Sequence, residues 1–138
     1  MKLVLDCNVF VSAVANGVVC QAVLEIAFRQ HQVFYSKEII EELRTTFAKP
    51  KLKIFQSRGE RLITDLQHLG TPVVILPLVP SLPDPGDEIY LATALAANAE
   101  ILVTGNLKDF PPNLTTPVRV LSPRDFLELF RASYPPVK

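Results

Sequence analysis

Met1-Lys2-Leu3-Val4-Leu5-Asp6-Cys7-Asn8-Val9-Phe10-Val11-Ser12 opens the chain and sets its class. Leu3 to Leu5 is a short apolar run that stops at Asp6. Such a run with a polar break reads as a strand buried on both faces, as in a parallel sheet. In open parallel sheets, ligands bind just past the carboxyl ends of the strands. Asp6 therefore falls where an α/β protein keeps its chemistry, and Asn8 and Ser12 follow in the next turn facing the same crevice. Asp and Asn also make turns for purely local reasons. The later acids of the chain are what tilt the reading towards function.

Working outward, a loop through Asn16-Gly17 leads to a helix over Val19 to Gln30, with Ala22, Val23, Ile26 and Ala27 on one face. Gln32 to Tyr35 reads as a strand. Ser36 caps a helix over Lys37 to Ala48, whose apolar stripe is Ile39, Ile40, Leu43 and Phe47. On a helical wheel Glu38 and Glu41 fall on the solvated side and Glu42 on the flank of the stripe, leaning towards the sheet edge. A helix covers Phe55 to Leu69, and Val73 to Leu78 reads as a buried strand. Asp84-Pro85-Gly86-Asp87 starts a helix over Pro85 to Asn98, with Asp84 at the cap and Asp87 in a capping-box-like place. Glu100 to Thr104 is a strand whose exit carries Thr104, Gly105, Asn106 and Asp109. Pro111-Pro112 is a loop, Val118 to Leu121 a short strand, and Ser122-Pro123 starts a last helix running to about Ser133. The alternation predicts an α/β fold: a mostly parallel five-stranded sheet between helix layers, in a single domain over 1–138 with its core in about 1–132.

At 138 residues the chain suits one core. No apolar run approaches the roughly 18 residues of a membrane span, and no signal-peptide pattern opens it. Two cysteines, Cys7 and Cys20, make neither a disulfide framework nor a zinc site, which suits a cytoplasmic protein. The formal net charge is zero, so any nucleic-acid binding needs a local basic patch. Lys49, Lys51 and Lys53, interleaved with Pro50 and Leu52, are the one concentration that could track phosphates, with Lys108 a further candidate. Such a run is more often just a solvated surface.

Strands ending at Leu5 and Thr104, and helices carrying Glu42 and Asp87, converge on one edge of this sheet. Several carboxylates at one place repel and raise one another's pKa values. A hard divalent cation, Mg²⁺ or Mn²⁺, resolves that conflict with oxygen ligands. It also activates water and offsets charge on a scissile phosphate. His31 and His68 sit in no motif, Cys7 has no base beside it, and no Gly-rich phosphate loop is present.

The order Val4-Leu5-Asp6-Cys7-Asn8-Val9, Ser36…Glu42-Leu43, Asp87…Ala92-Thr93-Ala94 and Val103-Thr104-Gly105-Asn106-Leu107-Lys108-Asp109-Phe110 resembles a PIN domain. The nearest flavour is the single-domain PIN toxins of VapBC-type toxin–antitoxin pairs. The resemblance runs to about Phe130 and implies a three-layer α/β/α sandwich and a metal-dependent endoribonuclease. It implies Asp6, Glu42 and Asp87 as catalytic acids, with Asp6 and Asp87 as metal ligands. Asn106 stands where a fourth acid is usual, and Asp109, three residues on, offers a further one. Asn8, Ser12, Thr104 and Asn106 match polar positions around the acids, while Cys7 stands where many relatives carry Thr. An RNA substrate, an antitoxin partner and a homodimer follow from the same resemblance. Two other readings stay open: a catalytically weakened PIN-like module that binds RNA or protein, and a haloacid-dehalogenase-like phosphatase. The latter needs a second Asp where this chain has Asn8.

Overall fold

The structure is a computed structural model that describes residues 1–77 and 81–130. Five parallel strands form one sheet in the order β3-β2-β1-β4-β5. They are β1 (Lys2–Leu5), β2 (Gln32–Tyr35), β3 (Thr71–Pro72), β4 (Ile101–Val103) and β5 (Arg119–Leu121). β1 and β4 lie side by side, with Leu3 opposite Ile101 and Leu5 opposite Val103. Neighbouring strand residues point to opposite faces. Leu3, Val4, Leu5, Ile101, Leu102 and Val103 are all buried, so both faces of the sheet centre are covered.

The chain winds from β1 outward through β2 to β3, then returns to the other side of β1 for β4 and β5. The order therefore reverses between β1 and β4. In open α/β sheets that reversal leaves a crevice beyond the strand ends. Asp6 and Thr104, each one residue past its strand, stand at its mouth. The sheet continues to them: Asp6 N–H donates to the Val103 carbonyl at 2.9 Å, and Thr104 N–H to the Leu121 carbonyl at 2.9 Å.

Seven helices flank the sheet among the described residues: α1 (Cys7–Val14), α2 (Val18–Gln30), α3 (Lys37–Phe47), α4 (Gln56–Leu69), α5 (Glu88–Ala97), α6 (Pro112–Thr115) and α7 (Pro123–Phe130). The caps expected from sequence are present. Ser36 Oγ accepts from Ile39 N–H at 3.4 Å, and Ser122 Oγ from Asp125 N–H at 3.0 Å. No single described helix is long and apolar enough to cross a membrane.

Four expectations need correction. The turn expected from Asp6 to Ser12 is helix α1, whose Val9, Phe10, Ala13 and Val14 are buried, while the loop expected through Asn16-Gly17 is present between α1 and α2. Burial of that face overrides the modest helix propensity of Val9, Phe10 and Val11. The strand expected over Val73 to Leu78 is not formed over Val73 to Pro77; just ahead of it stands the two-residue β3. One more sheet bond, Val73 N–H to the Tyr35 carbonyl, follows it, and Val74 and Leu76 then point to solvent. This is a sheet edge, and Pro72 and Pro77 lack the N–H that a ladder needs; Leu78 lies outside the described residues. The helix expected from Pro85 begins as a 3₁₀ turn, Pro85–Asp87, before α5, and the Pro111-Pro112 loop includes the single turn α6. The expected end of the last helix near Ser133 lies outside the described residues.

Helices α3 and α4 meet at Gly59, where a Cβ would lie 2.5 Å from Cγ of the fully buried Phe47 ring. Alanine would gain about 1 kcal/mol of helix propensity. Overpacking a fixed ring costs roughly 1–3 kcal/mol, and the clash falls on the ring's root, so the cost wins. Gly59→Ala is expected to lower the urea midpoint by the equivalent of about 1–2 kcal/mol without changing the slope.

Candidate active site

Asp6 is 3% exposed and is the N-cap of α1. One carboxylate oxygen, Oδ1, accepts from Cys7 N–H at 2.6 Å. The other, Oδ2, accepts from the Thr104 hydroxyl at 2.7 Å and the Asn8 amide at 3.0 Å. Asn8 then bridges the two strand ends, its Oδ1 accepting from Gly105 N–H at 2.9 Å. A Cβ at Gly105 would lie 3.2 Å from that same oxygen, so the exit from β4 suits glycine. Thr104, fully buried, accepts from Asn106 N–H at 3.0 Å. Burial raises the Asp6 carboxyl above its usual range, and the charge of Glu42 adds to this. The donors from Thr104, Cys7 and Asn8 oppose it.

Asp87 ends the 3₁₀ turn that begins α5. Its side chain forms no capping box: Oδ2 is buried and has no hydrogen-bond partner. Burial pushes its carboxyl up to about 7, and the charges of Asp6, Asp84, Asp109 and Glu42 push the same way. Five acids from four segments, Asp84 and Asp87 sharing one turn, therefore act on one another. Carboxylate oxygens of Asp84, Asp87 and Asp109 lie within 4.8 Å of one another. Asp84 was legible in sequence only as a cap, which it is, accepting from Gly86 N–H at 2.9 Å. The signal for more was the Asp-Pro-Gly-Asp spacing, because residues three apart eclipse one another in a 3₁₀ turn.

Glu42 is half-buried on the flank of α3, and its Oε1 accepts from the Tyr90 hydroxyl at 2.5 Å. Cys7 Sγ donates to Thr46 Oγ1 at 3.6 Å, and burial pushes its thiol up to about 11, so it is a poor nucleophile. Ser12 is not drawn into the cluster: it is exposed on α1 and hydrogen-bonds none of the acids. The Asn106 side chain is exposed and makes no hydrogen bond among the described residues. Lys49, Lys51, Lys53 and Lys108 are all exposed. Among the described residues the one ion pair is Arg29–Glu25, which leaves these lysines unpaired.

A family model described as PIN domain matches residues 2–108. The chain belongs to the PIN domain family. PIN domains are generally nucleases. No protein of curated function matches the chain in sequence. Among solved structures, this PIN domain is similar to a chain in the crystal structure of VapBC2 from Rickettsia felis bound to a DNA fragment from their promoter. The TM-score is 0.60 and the identity 19%, with 88% of this chain and 98% of that chain covered. It is similar also to a chain in the structure of FitAB bound to an IR36 DNA fragment, at a TM-score of 0.60 and 18% identity, covering 88% and 94%. At these identities the likeness is one of fold.

The residues present fit a divalent cation. The donors are hard oxygens, one of them buried and unpartnered on Asp87, and burial first, then repulsion among the acids, raises the carboxyls at the centre.

Proposed function

We propose that this PIN domain is a metal-dependent endoribonuclease of the toxin–antitoxin type. The observation that carries the reading is Asp87: a buried carboxylate oxygen without a hydrogen-bond partner, in a field of four further acids at the switch point of the sheet. Asp6 and Asp87 would hold Mg²⁺ or Mn²⁺, which supplies water activation and charge compensation at the phosphate. The chain's own groups do the rest. Thr104 and Asn8 fix the Asp6 carboxylate, so its orientation is set before substrate arrives. Glu42 and Asp109 would assist in holding the ion, and their carboxylates are able to take a proton from the attacking water. Water oxygen bonds to phosphorus in line as the bond to the 3′-oxygen breaks. The 3′-oxygen leaves with the bonding pair and takes a proton from solvent water, giving 5′-phosphate and 3′-hydroxyl ends. Lys49, Lys51, Lys53 and Lys108 hold flanking phosphates.

The toxin assignment draws on the solved neighbours, which are toxin–antitoxin complexes. On this reading the chain is one cytoplasmic PIN domain over 1–138, forms a homodimer and takes an antitoxin as partner. A groove of ≈ 410 Å³ lined by Val14, Leu24, Leu62, Arg58, Arg61 and Asp65 is where an apolar antitoxin segment would fit.

The experiment is Mn²⁺ titration followed by thermal unfolding, paired with cleavage of a mixed RNA by the same preparation. Metal that binds only the folded state stabilises it by about 2.7 kcal/mol at a hundred times its dissociation constant. Stabilisation together with metal-dependent cleavage supports the reading; neither at several-fold excess of metal overturns it. One observation favours the second reading, a catalytically weakened binding module: Asn106 brings no charge where an acid is usual. RNA or protein binding that persists in chelator, without turnover, would establish that alternative.

A further inference from the structure

Tyr90 lies on α5, one turn past Asp87, and is fully buried. Its hydroxyl crosses to α3 and donates to Glu42. A carboxylate accepting from O–H at 2.5 Å is a charge-assisted bond, stronger than a neutral one. Burial lifts the Tyr90 phenol far above its ordinary range, so it remains a donor wherever the protein is folded. Three residues on, Thr93 Oγ1 accepts from the Ser36 hydroxyl at 2.9 Å while its own proton goes to the Ile89 carbonyl at 2.6 Å, with both side chains fully buried. Ser36 is the cap of α3. Residues three apart share one helix face, so a single face of α5 grips α3 at its cap and again at Glu42.

That grip opposes a specific force. Glu42 is half-exposed on a long side chain, and Asp6 and Asp87 both feel its charge. Unrestrained, it would rotate into solvent to escape like charges. We propose that Tyr90 is a positioning residue of the acid site: its hydroxyl holds the Glu42 carboxylate facing Asp6 and Asp87. The helix that supplies Asp87 thereby also fixes Glu42, and a divalent cation meets the acids already assembled. The inference rests on the nuclease reading above and deepens it.

Tyr90→Phe keeps the ring and removes the hydroxyl. Urea unfolding of wild type, Tyr90→Phe, Glu42→Ala and the double variant in chelator gives the coupling of the pair without metal. A coupling of at least about fivefold in the unfolding equilibrium constant is expected. Mn²⁺ titration of the same proteins gives the second arm. Tyr90→Phe is expected to weaken Mn²⁺ binding by about 10- to 100-fold. In the Glu42→Ala background it should add less than about twofold, because its effect runs through Glu42. Zero coupling in chelator overturns the proposal, as does wild-type Mn²⁺ affinity in Tyr90→Phe, or an equal loss with and without Glu42. Wild type that takes up no Mn²⁺ overturns the nuclease reading and the cation role of Tyr90 with it. The chelator cycle then still decides whether Tyr90 holds Glu42.

Discussion

Asp6→Asn is expected to lower RNA cleavage on the order of a thousandfold while leaving a cooperatively folded protein. The activity loss follows from charge. Asp6 is the most enclosed of the acids, and an amide in its place offers one neutral oxygen instead of a carboxylate. The stability argument is a balance. Asp6 accepts three hydrogen bonds, one at Oδ1 and two at Oδ2. An asparagine keeps the pair at its oxygen and turns its amide towards Cys7 N–H, losing the cap on α1. That costs about 1 kcal/mol. Against it stands relief of a buried charge that burial and Glu42 both disfavour. The two nearly cancel, and the net change is expected within about 1 kcal/mol by urea unfolding. Asp6→Ala removes all three acceptor contacts and strands buried donors at about 1–3 kcal/mol each. It is therefore the wrong variant for separating chemistry from folding. Undiminished metal-dependent cleavage in folded Asp6→Asn would sink the assignment of Asp6.

The parts legible in the sequence are those in which local pattern and tertiary fate agree. Leu3-Val4-Leu5 and Ile101-Leu102-Val103 are uniformly apolar, the pattern of a strand covered on both faces. Ser36 and Ser122 announce their helices because a capping oxygen acts within three residues. Glu42 could be picked out from its neighbours because the wheel puts it on the flank of a stripe. Failures came where distant contacts decide. Val9-Phe10-Val11 forms a helix because burial against the core rewards it, not because its propensity asks for one. Val73 to Pro77 has the composition of a strand but only an edge to pair with. Asp84 has a complete local explanation as a cap, which hid its place beside Asp87 and Asp109. Tyr90 and Glu42 are 48 residues apart, and no local rule links them.

Asp87 yields the second large effect, and its sign is fixed by its surroundings. An aspartate in an unfolded chain titrates near about 3.9, whereas burial and four neighbouring acids push Asp87 up to about 7. The folded state therefore holds this proton more tightly than the unfolded state. Its contribution to stability is fully present below about pH 4 and is lost as pH rises through about 7. A fully buried group shifted this far would contribute about 4 kcal/mol. Asp87 is partly exposed, so about 1–2 kcal/mol is the expectation after solvent screening. In chelator, wild type should lose that much between pH 4 and pH 8, and Asp87→Asn should lose much less and be the more stable protein at pH 8. Mn²⁺ competes with the same proton, so it should stabilise wild type strongly at pH 8 and weakly at pH 5. Asp87→Asn should show little Mn²⁺ stabilisation at either pH and lose cleavage on the order of a thousandfold. Urea unfolding across this pH range, with and without Mn²⁺, measures each of these. Parallel pH curves for wild type and Asp87→Asn in chelator would show that Asp87 does not carry the strain of the acid cluster. The conflict a cation is needed to resolve would then have to lie elsewhere.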